Sequence, residues 1–326
     1  MKAIVCREYG SPDVLRLAEL DKPVPGDGEV LVRIHATSVN AGDWHLLRAS
    51  PFLVRLVYGV FKPKVSVLGA DIAGVVEAVG AGVSRFNVGD AVFGDISCYG
   101  FGGFAEYVCV PEEPLAKIPS KLTFLEAAAV PVASVVALQA LRDAGKIESG
   151  QRVLIYGASG GVGTFAVPLA KYFGAEVTAV CSTANVERAR LLGADHVIDY
   201  AKEDFADGDA RFDLIVGANG ARSIFDFRKA LAPKGRYVSS GGATSQFLQS
   251  ILIGPVLSLA GSRKFINFLV RPNGADVAFI AGLIEAGVLT PVIDRRYSLA
   301  EVPDAIRYLE AGHARGKVVI DVAGGD

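Results

Sequence analysis

The sequence has 326 residues, which is room for about two domains with buried cores. Its formal net charge of −2 gives no electrostatic reason to expect a nucleic-acid partner. The mean hydropathy of +0.37 is high. Even so, the most apolar stretch, residues 251–270, is interrupted by Gly-Ser-Arg-Lys, and a transmembrane helix needs about 18 or more nearly uninterrupted apolar residues.

Targeting and cysteine signals favour a reducing compartment. Residues 1–10, MKAIVCREYG, carry Arg7 and Glu8 where a signal peptide would be apolar. The cysteines show neither C-x-x-C spacing nor a histidine at metal-ligand spacing, so we expect no disulfide framework and no zinc module. We predict a cytoplasmic protein with free thiols. The four cysteines are Cys6, Cys98, Cys109 and Cys181.

Short β-branched runs dominate the first third of the chain. These runs are KAIVCREY, EVLVRIHATSV, VLGADIAGVVEAVG and FAEYVCVP. Turn-forming stretches such as PGDGE and NVGD separate them. Several short strands with few helices are typical of a twisted, barrel-like β domain.

The pattern changes near Thr123. Residues 123–145 are rich in alanine and leucine and predict a helix, for which Thr123 and Glu126 form a capping box. From Arg152 strands and helices alternate, which indicates βαβ units and a parallel sheet. The predicted strands are RVLIY, EVTAVC, HVIDY, DLIVGAN and RYVSSGG, and the predicted helices are VGTFAVPLAKYFG and NVERARLLG.

After about Gly287 the β character of the first part returns. The stretch TPVIDRRYSL is followed by a predicted helix, EVPDAIRYLEAG, and a final strand, KVVIDV. We therefore predict an α/β protein with two domains. Residues 1–124 and 287–326 form a discontinuous β-rich domain, residues 125–286 form an inserted doubly wound parallel-sheet domain, and a cleft lies between the two.

A glycine-rich turn, YGASGGVG at 156–163, follows a predicted strand and opens a predicted helix. In this context the first helical N–H groups point into the turn and can bind a phosphate. Gly160 and Gly163 match the second and third glycines of G-x-G-x-x-G, with Ala158 in the first place. We predict a dinucleotide site. The alternative is a turn that serves only to pack the helix on the strand.

The residues about 20 positions further on bear on the choice of dinucleotide. NAD sites carry an acidic residue there, whereas this chain has Ser182 and Thr183. Hydroxyl groups can donate to a 2′-phosphate, and no carboxylate stands there in the sequence to repel it, so we predict NADPH in preference to NADH. Arg188 is near enough in sequence to help, with an ordinary solvated helix residue as the alternative.

Seven motifs along the chain carry a family resemblance. They are SVNAGDWHLLR, LGADIAGVVEAVG, VGDAVFG, GGFAEYVCVP, YGASGGVG, LGADHVIDY and GHARGKVVIDV. Together they resemble the medium-chain dehydrogenase/reductase superfamily, in its zinc-free quinone oxidoreductase branch, over nearly the whole chain. The resemblance implies a GroES-like β domain, a Rossmann domain, and NAD(P)H bound in the cleft between them.

The zinc-free branch follows from missing ligands. Zinc alcohol dehydrogenases of this superfamily carry an early cysteine, a Gly-His-Glu motif and often a lobe of four cysteines. Here Asn40 stands in the first place, residues 69–71 read Gly-Ala-Asp, and residues 94–103 contain one cysteine. A catalytic zinc needs about three protein ligands, so we expect no metal site. We expect His35 and His45 to be core or surface histidines.

The resemblance also implies individual site residues. Asn40 and Asp43 line the nicotinamide end of the cleft, and a turn-stabilising role for Asp43 is an equal alternative. The pyrophosphate is held by Ser159, Gly160, Gly161 and Val162. The adenosine phosphate is held by Ser182 and Tyr200, Gly217 and Gly241 lie along the cofactor, and His313, Ala314 and Arg315 close over it. Some members have a lysine in place of Asn185. This chain lacks that cation for the 2′-phosphate, so the predicted margin of NADPH over NADH is smaller.

The predicted reaction follows from the missing zinc. Without a Lewis acid to polarise an alcohol or ketone, the fitting reaction is hydride transfer from NADPH to a quinone or another conjugated carbonyl, with the protein positioning the reactants and excluding water. An enoyl or alkenal double-bond reductase is the alternative enzyme. An NADPH-bound structural or regulatory protein without turnover is the alternative of another class. Tyr58, His45, the nicotinamide ribose and solvent are the candidate proton sources.

Two apolar stretches, residues 51–61 and 243–274, remain to be explained. Basic residues flank both of them, namely Arg48, Arg55, Lys62, Lys64, Arg263 and Lys264. Core helices and a homodimer interface are the first interpretation. The second is a lipophilic substrate channel that touches a membrane surface and admits a lipophilic quinone or enone.

Overall fold

A computed structural model describes residues 1–52, 54–241 and 244–324, and the chain divides into two compact units. The first unit comprises Met1–Val132, Arg271–Gly287 and Pro291–Asp326, and the second comprises Ala133–Val270 and Val288–Thr290. The domain boundaries predicted from sequence pattern, at 124/125 and 286/287, differ from these chiefly over residues 125–132 and 271–286.

The strands, in chain order, are β1 (Lys2–Val5), β2 (Arg16–Glu19), β3 (Glu29–Val39), β4 (Asp71–Val79), β5 (Ala91–Asp95), β6 (Tyr107–Pro111), β7 (Leu115–Lys117), β8 (Arg152–Tyr156), β9 (Glu176–Cys181), β10 (His196–Asp199), β11 (Phe212–Gly217), β12 (Leu231–Ser239), β13 (Lys264–Asn267), β14 (Ile293–Ser298) and β15 (Lys317–Asp321).

The α-helices are α1 (Ala41–Arg48), α2 (Val54–Tyr58), α3 (Phe124–Ala128), α4 (Pro131–Gln139), α5 (Gly161–Tyr172), α6 (Val186–Leu191), α7 (Ile224–Ala230), α8 (Thr244–Leu252), α9 (Gly254–Leu259), α10 (Gly274–Glu285) and α11 (Val302–Glu310). Short 3₁₀ turns occupy Pro12–Val14, Thr183–Asn185 and Leu299–Glu301, and one π-helical turn occupies Ala140–Ala144.

The first unit is built on a seven-stranded sheet in the order β14-β15-β3-β4-β5-β7, with β6 also paired to β3. The pairs formed by β3, β4, β5, β6 and β7 are antiparallel, and β15 runs antiparallel to β3. Strand β3 alternates as its sequence predicts, because Val30, Val32 and Ile34 enter one buried cluster with Ile72 and Val76 of β4. Because β3 lies inside the sheet, its strand pairings hold the position of the residues that follow it.

The second unit is a six-stranded, fully parallel sheet in the order β10-β9-β8-β11-β12-β13. Numbered within the unit, this is the strand order 3-2-1-4-5-6 of doubly wound dinucleotide-binding folds. The order reverses between β8 and β11, and ligands of such sheets bind beyond the carboxyl ends of the strands at that reversal. The predicted α/β class and parallel sheet are therefore confirmed.

Aromatic side chains fill much of the second unit's core. Phe227 stacks on Tyr237 at 4.4 Å between ring centroids and on Phe205 at 5.5 Å, and Tyr156 meets Phe227 edge-on at 5.4 Å. Burying such rings contributes on the order of 2 kcal/mol each. The cluster therefore anchors the end of β8, where the glycine-rich turn begins.

The predicted helix over 123–145 is wrong in one respect, because it is two helices and a π turn. The capping box is confirmed: Glu126 N–H donates to Thr123 Oγ1, and Thr123 N–H donates to the Glu126 carboxylate at 2.9 Å. The first helix ends at Ala128, and Pro131 begins the second. Proline lacks an N–H donor, which a first helical position does not need.

The apolar stretch predicted over 243–274 contains α8, α9 and β13, and its first residue, Ala243, lies outside the described residues. Strand β13 forms an edge of the parallel sheet, so the interpretation as core helices alone is incomplete. Leu53, in the other apolar stretch, also lies outside the described residues. Within the described ranges, no helix combines the length and the apolar character needed to cross a lipid bilayer.

Candidate active site

A row of polar side chains crosses the first unit's sheet at the carboxyl end of β3. Ser38 of β3 lies directly opposite Asp71 of β4, and Asp71 lies directly opposite Asp95 of β5. Directly opposed residues of antiparallel strands share a face of the sheet. All three are at most 1% exposed. Burial without hydrogen bonds would be costly for each of them, so their partners define the site.

Asp71 is the centre of this row. Its Oδ1 accepts from Val132 N–H at 2.7 Å. Its Oδ2 accepts from Lys317 Nζ at 3.0 Å, from Asn40 Nδ2 at 2.8 Å and from the Ser38 hydroxyl. Four donors around one carboxyl group fit the ionised form, which only accepts hydrogen bonds. Asp71 and Lys317 therefore form a buried carboxylate–ammonium pair at the centre of the site.

Asn40 is bound to both members of this pair. Its amide oxygen accepts from the Lys317 ammonium, while its amide nitrogen donates to Asp71. Because each end of the amide meets a group of opposite character, only one of its two flipped orientations satisfies both partners. Asn40 is also the residue before α1, and its backbone N–H donates to Asp43 Oδ2 at 2.7 Å.

Asp43 links two of the sequence motifs, SVNAGDWHLLR and LGADIAGVVEAVG, by a hydrogen bond. Besides Asn40 N–H, its carboxyl group accepts from Gly69 N–H at 3.1 Å. Gly69 has a φ of 95°, and a β-carbon on it would lie 2.7 Å from Phe104 N, so only glycine fits there. Burial raises the pKa of Asp43 to about 7. Its hydrogen bonds to two backbone N–H groups match the turn-stabilising alternative, and its approach to a nicotinamide stays a prediction.

The contacts described below for Tyr58 and His45 do not involve Asn40, Asp71 or Lys317. The Tyr58 ring packs edge-on against Phe101 at 6.2 Å, and burial raises the pKa of its hydroxyl. His45 Nδ1 lies 2.8 Å from the Ser50 carbonyl oxygen, and its ring stacks on Trp44. Burial lowers the pKa of His45, so its imidazole is neutral near pH 7. Neither contact pattern supports one proton relay over the other.

In the second unit, the glycine-rich turn lies at the strand-order reversal. Gly157 follows β8 with a φ of 84°, and a β-carbon on it would lie 2.8 Å from Asn219 N, just beyond β11. The residue that makes the tight turn is thus Gly157 and not Ala158, which we matched to the first glycine. Gly160 precedes α5, whose first N–H groups have no acceptor inside the helix.

Gly160 and Gly163 have different surroundings. A β-carbon on Gly163 would lie 2.2 Å from the Gly157 carbonyl oxygen, so Gly163 is needed for the helix to pack on the turn. A β-carbon on Gly160 would find only that same oxygen, at 3.6 Å, so the chain itself leaves room there. Ser159, Gly161 and Val162 border the same half-buried turn. The space at Gly160 fits the close approach of a pyrophosphate.

The end of β9 carries the two predicted hydroxyls. Ser182 Oγ accepts from Asn185 Nδ2 at 2.9 Å, so its own hydrogen is not used in that bond. Thr183 Oγ1 instead donates to Asp199 Oδ2 at 2.7 Å. Asp199 ends β10, opposite Cys181 of β9, and Lys202 Nζ lies 3.3 Å from it. The sequence interpretation missed this carboxylate, which comes from the next strand.

Tyr200 lies beside a cavity of about 250 Å³ in the second unit. Tyr200 is 60% exposed, so it is not packed in the core. Tyr156 and Phe205 supply an apolar wall, and Arg222 crosses Phe205 at 5.4 Å while pairing with Asp204. The cavity has room and both polar and aromatic groups for part of a nucleotide.

Gly217 and Gly241 permit close approach at the ends of β11 and β12. A β-carbon on Gly217 would lie 2.8 Å from the Tyr237 hydroxyl, and one on Gly241 would lie 2.4 Å from the Ala218 carbonyl oxygen. These contacts explain both glycines by packing alone, so their position along a cofactor stays a prediction. His313 and Arg315 are exposed and Ala314 packs on a core cluster of the first unit. Closure of these three over a nucleotide also stays a prediction.

The sequence interpretation did not identify three of the site residues, Lys317, Asp71 and Asp95. Asp71 was noted only as part of the motif that replaces Gly-His-Glu, and Lys317 only as the first residue of a final strand. The available signal was a single lysine at the start of an apolar strand, where exposure is the usual expectation. Lys317 is instead 3% exposed.

Comparison with known proteins identifies the relatives of this chain. Residues 26–120 match the family described as alcohol dehydrogenase GroES-like domain, and residues 192–320 match the family described as zinc-binding dehydrogenase. The chain is 38% identical over 336 residues to a 2-methylene-furan-3-one reductase of Solanum lycopersicum, covering 98% of this chain and 79% of the relative.

Two further relatives cover almost all of the chain. NAD(P)H oxidoreductase RTN4IP1, mitochondrial, of Homo sapiens is 32% identical over 356 residues, covering 99% of this chain and 89% of the relative. The structure of the quinone oxidoreductase from Coxiella burnetii superposes with a TM-score of 0.87 at 31% identity, covering 99% of each chain. The predicted pairing of a GroES-like domain with a Rossmann domain is thereby confirmed.

The two glycines of the turn give a matched test. We expect Gly163→Ala to lose about 1–3 kcal/mol of unfolding free energy, because its methyl group overlaps the Gly157 carbonyl. We expect Gly160→Ala to lose less than about 1 kcal/mol, the cost of a weaker helix cap. Its methyl group would instead occupy the space for phosphate and weaken NADPH binding at least about tenfold. Urea unfolding and NADPH fluorescence titration measure the two effects. Unchanged NADPH binding by Gly160→Ala would leave the turn with a packing role only.

Proposed function

The chain belongs to the medium-chain dehydrogenase/reductase superfamily, among its quinone oxidoreductase-like members, and from that premise we propose that it transfers hydride from NADPH to quinones or other conjugated carbonyls without zinc. It is an oxidoreductase. The single observation that carries the proposal is the buried group of Asn40, Asp71 and Lys317, in which an ammonium binds two of the motif positions that differ from zinc enzymes.

The residues of the second unit fit a nicotinamide dinucleotide. Ser159, Gly160, Gly161 and Val162 would hold the pyrophosphate at the start of α5, where N–H donors and the helix dipole favour anions. A nicotinamide cofactor, when bound, supplies the hydride. Its use also fits the human relative, whose name is NAD(P)H oxidoreductase.

The residues of the first unit do not fit a catalytic zinc. Asn40 offers an amide, Ala70 offers no ligand atom, and Asp71 is already bonded to four donors that include an ammonium. In the described part of the chain, no three histidine, cysteine, aspartate or glutamate side chains group as a metal site. We therefore derive no step through zinc, although one matching family is described as zinc-binding dehydrogenase.

A conjugated acceptor needs little from the protein. Two electrons and one hydrogen arrive as hydride at the electrophilic carbon, negative charge spreads to the carbonyl oxygen, and one proton completes the product. The chain's part is to position the acceptor and to keep water out. The names of the tomato and Coxiella relatives, a conjugated-ketone reductase and a quinone oxidoreductase, favour this class of acceptor.

The preference for NADPH rests on Ser182. Its hydroxyl hydrogen is not used by Asn185, so it is available to a 2′-phosphate. Tyr200 is an exposed residue whose backbone N–H donates to the carbonyl oxygen of Cys181, the residue before Ser182, at 3.1 Å. Thr183 contributes less than the sequence predicts, because its hydrogen goes to Asp199. Lys202 partly offsets the charge of that aspartate.

The decisive assay is NADPH consumption by protein treated with a chelator, with and without a simple para-quinone. We expect quinone-dependent consumption that survives chelation and exceeds that with NADH. A conjugated enal as second acceptor separates ring reduction from double-bond reduction. Binding of NADPH without turnover on either acceptor would contradict the proposal and return the chain to a structural or regulatory role.

Ser182→Ala tests the coenzyme preference. Loss of one hydrogen bond to a charged phosphate oxygen costs about 1.5–3 kcal/mol, so we expect the KM for NADPH to rise about tenfold or more. NADH lacks the 2′-phosphate, so its KM in the same variant is the internal control and is expected to stay unchanged. An equal rise for both coenzymes would mean that Ser182 acts on the adenosine or the fold and does not select NADPH.

We further propose that the exposed apolar residues of 52–61 contact an anionic membrane surface. Phe52, Leu56, Val57, Val60 and Phe61 are 47–94% exposed. The surrounding sequence, residues 44–70, contains no acidic residue and four arginines or lysines, of which Arg48 is paired with Glu310. Exposed apolar side chains beside cations suit anionic lipid headgroups, and a lipophilic quinone would be found there.

Flotation with phosphatidylserine-containing vesicles tests this contact. We expect co-migration of the wild type and its loss in the double variant Leu56→Ser, Phe61→Ser. Leu259→Ser, at an 89% exposed leucine of the second unit, is the control and should still float. A concentration-dependent dimer that this double variant dissociates, without flotation, would assign the surface to a homodimer interface instead. Residence in the cytoplasm stays a prediction.

A further inference from the structure

Asp95 is a buried acid that the proposed chemistry does not use. It is 1% exposed, its Oδ1 accepts from Ser97 N–H at 2.9 Å, and its Oδ2 has no hydrogen-bond partner among the described residues. It lies directly across the β4–β5 pairing from Asp71, and the β-carbons of such pairs are about 4.5–5.5 Å apart.

The cluster holds more carboxyl groups than cations. Asp43, Asp71 and Asp95 are all at most 1% exposed, and Lys317 is the buried ammonium beside them. Full ionisation would leave a net charge of about −2 in a region of low dielectric, which is strongly unfavourable. Some of these acids must therefore keep their protons near neutral pH.

The hydrogen bonds assign the protons. Asp71 meets four donors, including the ammonium, and is the ionised member. Asp95 meets the backbone N–H and the hydroxyl group of Ser97, but no cation, and it faces the Asp71 carboxylate. Burial, and then Asp71, raise the pKa of Asp95 to about 7. Asp95 is thus neutral at slightly acidic pH and gains its charge as the pH rises. Burial also raises the pKa of Asp43 to about 7, but Asp43 binds two backbone N–H groups and has no hydrogen bond to Lys317 or Asn40 side-chain atoms among the described contacts.

Charged and titratable groups lie on several of the elements around Asp95. Asp71 on β4 and Lys317 on β15 belong to the cluster, and Asp43 on α1 binds only backbone N–H groups. On β7, Lys117 pairs with Asp90, and on α3, Glu126 caps its own helix. Cys98 and Tyr99 lie in the turn after β5, where Tyr99 interacts with Glu113, and burial raises the pKa of Tyr99.

We propose that Asp95 is a positioning residue for the reaction, acting through Lys317 on Asn40. When Asp95 is neutral, the ammonium stays with Asp71 and the Asn40 amide oxygen. When Asp95 ionises, a second carboxylate competes for the same ammonium, and the Asn40 amide loses the partner that fixes its orientation. The inference rests on the proposed function, in which Asn40 borders the nicotinamide.

The test is the pH profile of kcat for the wild type and Asp95→Asn, whose amide has the same shape and no charge. We expect the wild-type kcat to fall between pH 6 and pH 8.5 by about fivefold, the factor for one lost hydrogen bond. We expect Asp95→Asn to hold its acidic-pH kcat over this range. Asp90→Asn, at the carboxylate that pairs with Lys117 before β5, is the matched control and should keep the wild-type profile.

Two further measurements separate positioning from a structural effect. Asp95→Asn should lose less unfolding free energy than the wild type as the pH rises from about 4 to about 7, because an acid with a raised folded pKa binds more protons in the native state over that range. Lys317→Arg, which keeps the cation, should keep a falling profile. Lys317→Met in an Asp71→Asn background, which removes both members of the ion pair together, should lower kcat at every pH.

The outcomes are distinguishable. If the wild type and Asp95→Asn both turn over and their kcat values have the same pH profile, this inference is overturned and the proposed function stands. An absence of turnover in the wild type at every pH, with quinone and enal alike, would overturn the proposed function and this inference with it. If Asp95→Asn does not fold, judged by circular dichroism, Asp95→Ser supplies the same neutral comparison.

Discussion

The buried ion pair between Lys317 and Asp71 is the interaction on which the first unit's site depends. Each of these ions gives up several kcal/mol of hydration, about the amount estimated for buried charges in proteins. That loss is offset only because Asn40, Ser38 and the Val132 N–H complete the hydrogen bonds of the carboxylate. The pair joins β15 to β4, and through Asn40 it also sets where α1 begins. A change to any member therefore reaches the others.

The second unit depends on close backbone approach instead of charge. Gly157 nearly touches Asn219 beyond β11, and Gly241 nearly touches Ala218. Such approaches bring the carboxyl ends of β8, β11 and β12 together and leave open space at Gly160. The site residues of the first unit are thus held by a buried network of charges and hydrogen bonds. The glycine-rich turn of the second unit depends instead on the absence of side chains.

Periodicity was enough to predict some of the regular elements. Strands β3, β8 and β9 have the bounds of the runs EVLVRIHATSV, RVLIY and EVTAVC, because their alternation or continuous apolar character leaves one interpretation. Helix α1 was not predicted, since AGDWHLLR has no clear apolar period and begins through the Asn40–Asp43 bond. The resemblance placed Asn40 and Asp43 at the site. The partners Lys317 and Asp95 could not be read from the sequence, because Lys317 meets Asp71 across 246 positions. The same limit applies to Asp199, which is distant from Thr183 in sequence and bonded to it in space.

The place of β15 in its sheet has a consequence for how the protein is made. Strand β15 lies between β14 and β3, so the residues that complete the first unit's sheet are synthesised some 280 positions after β3. The second unit's strands, between Arg152 and Asn267, are all available before then. On the ribosome the second unit can therefore fold while the first still exposes an unpaired edge of β3, the kind of edge that invites aggregation. That edge of β3 stays unpaired until β15 has been synthesised.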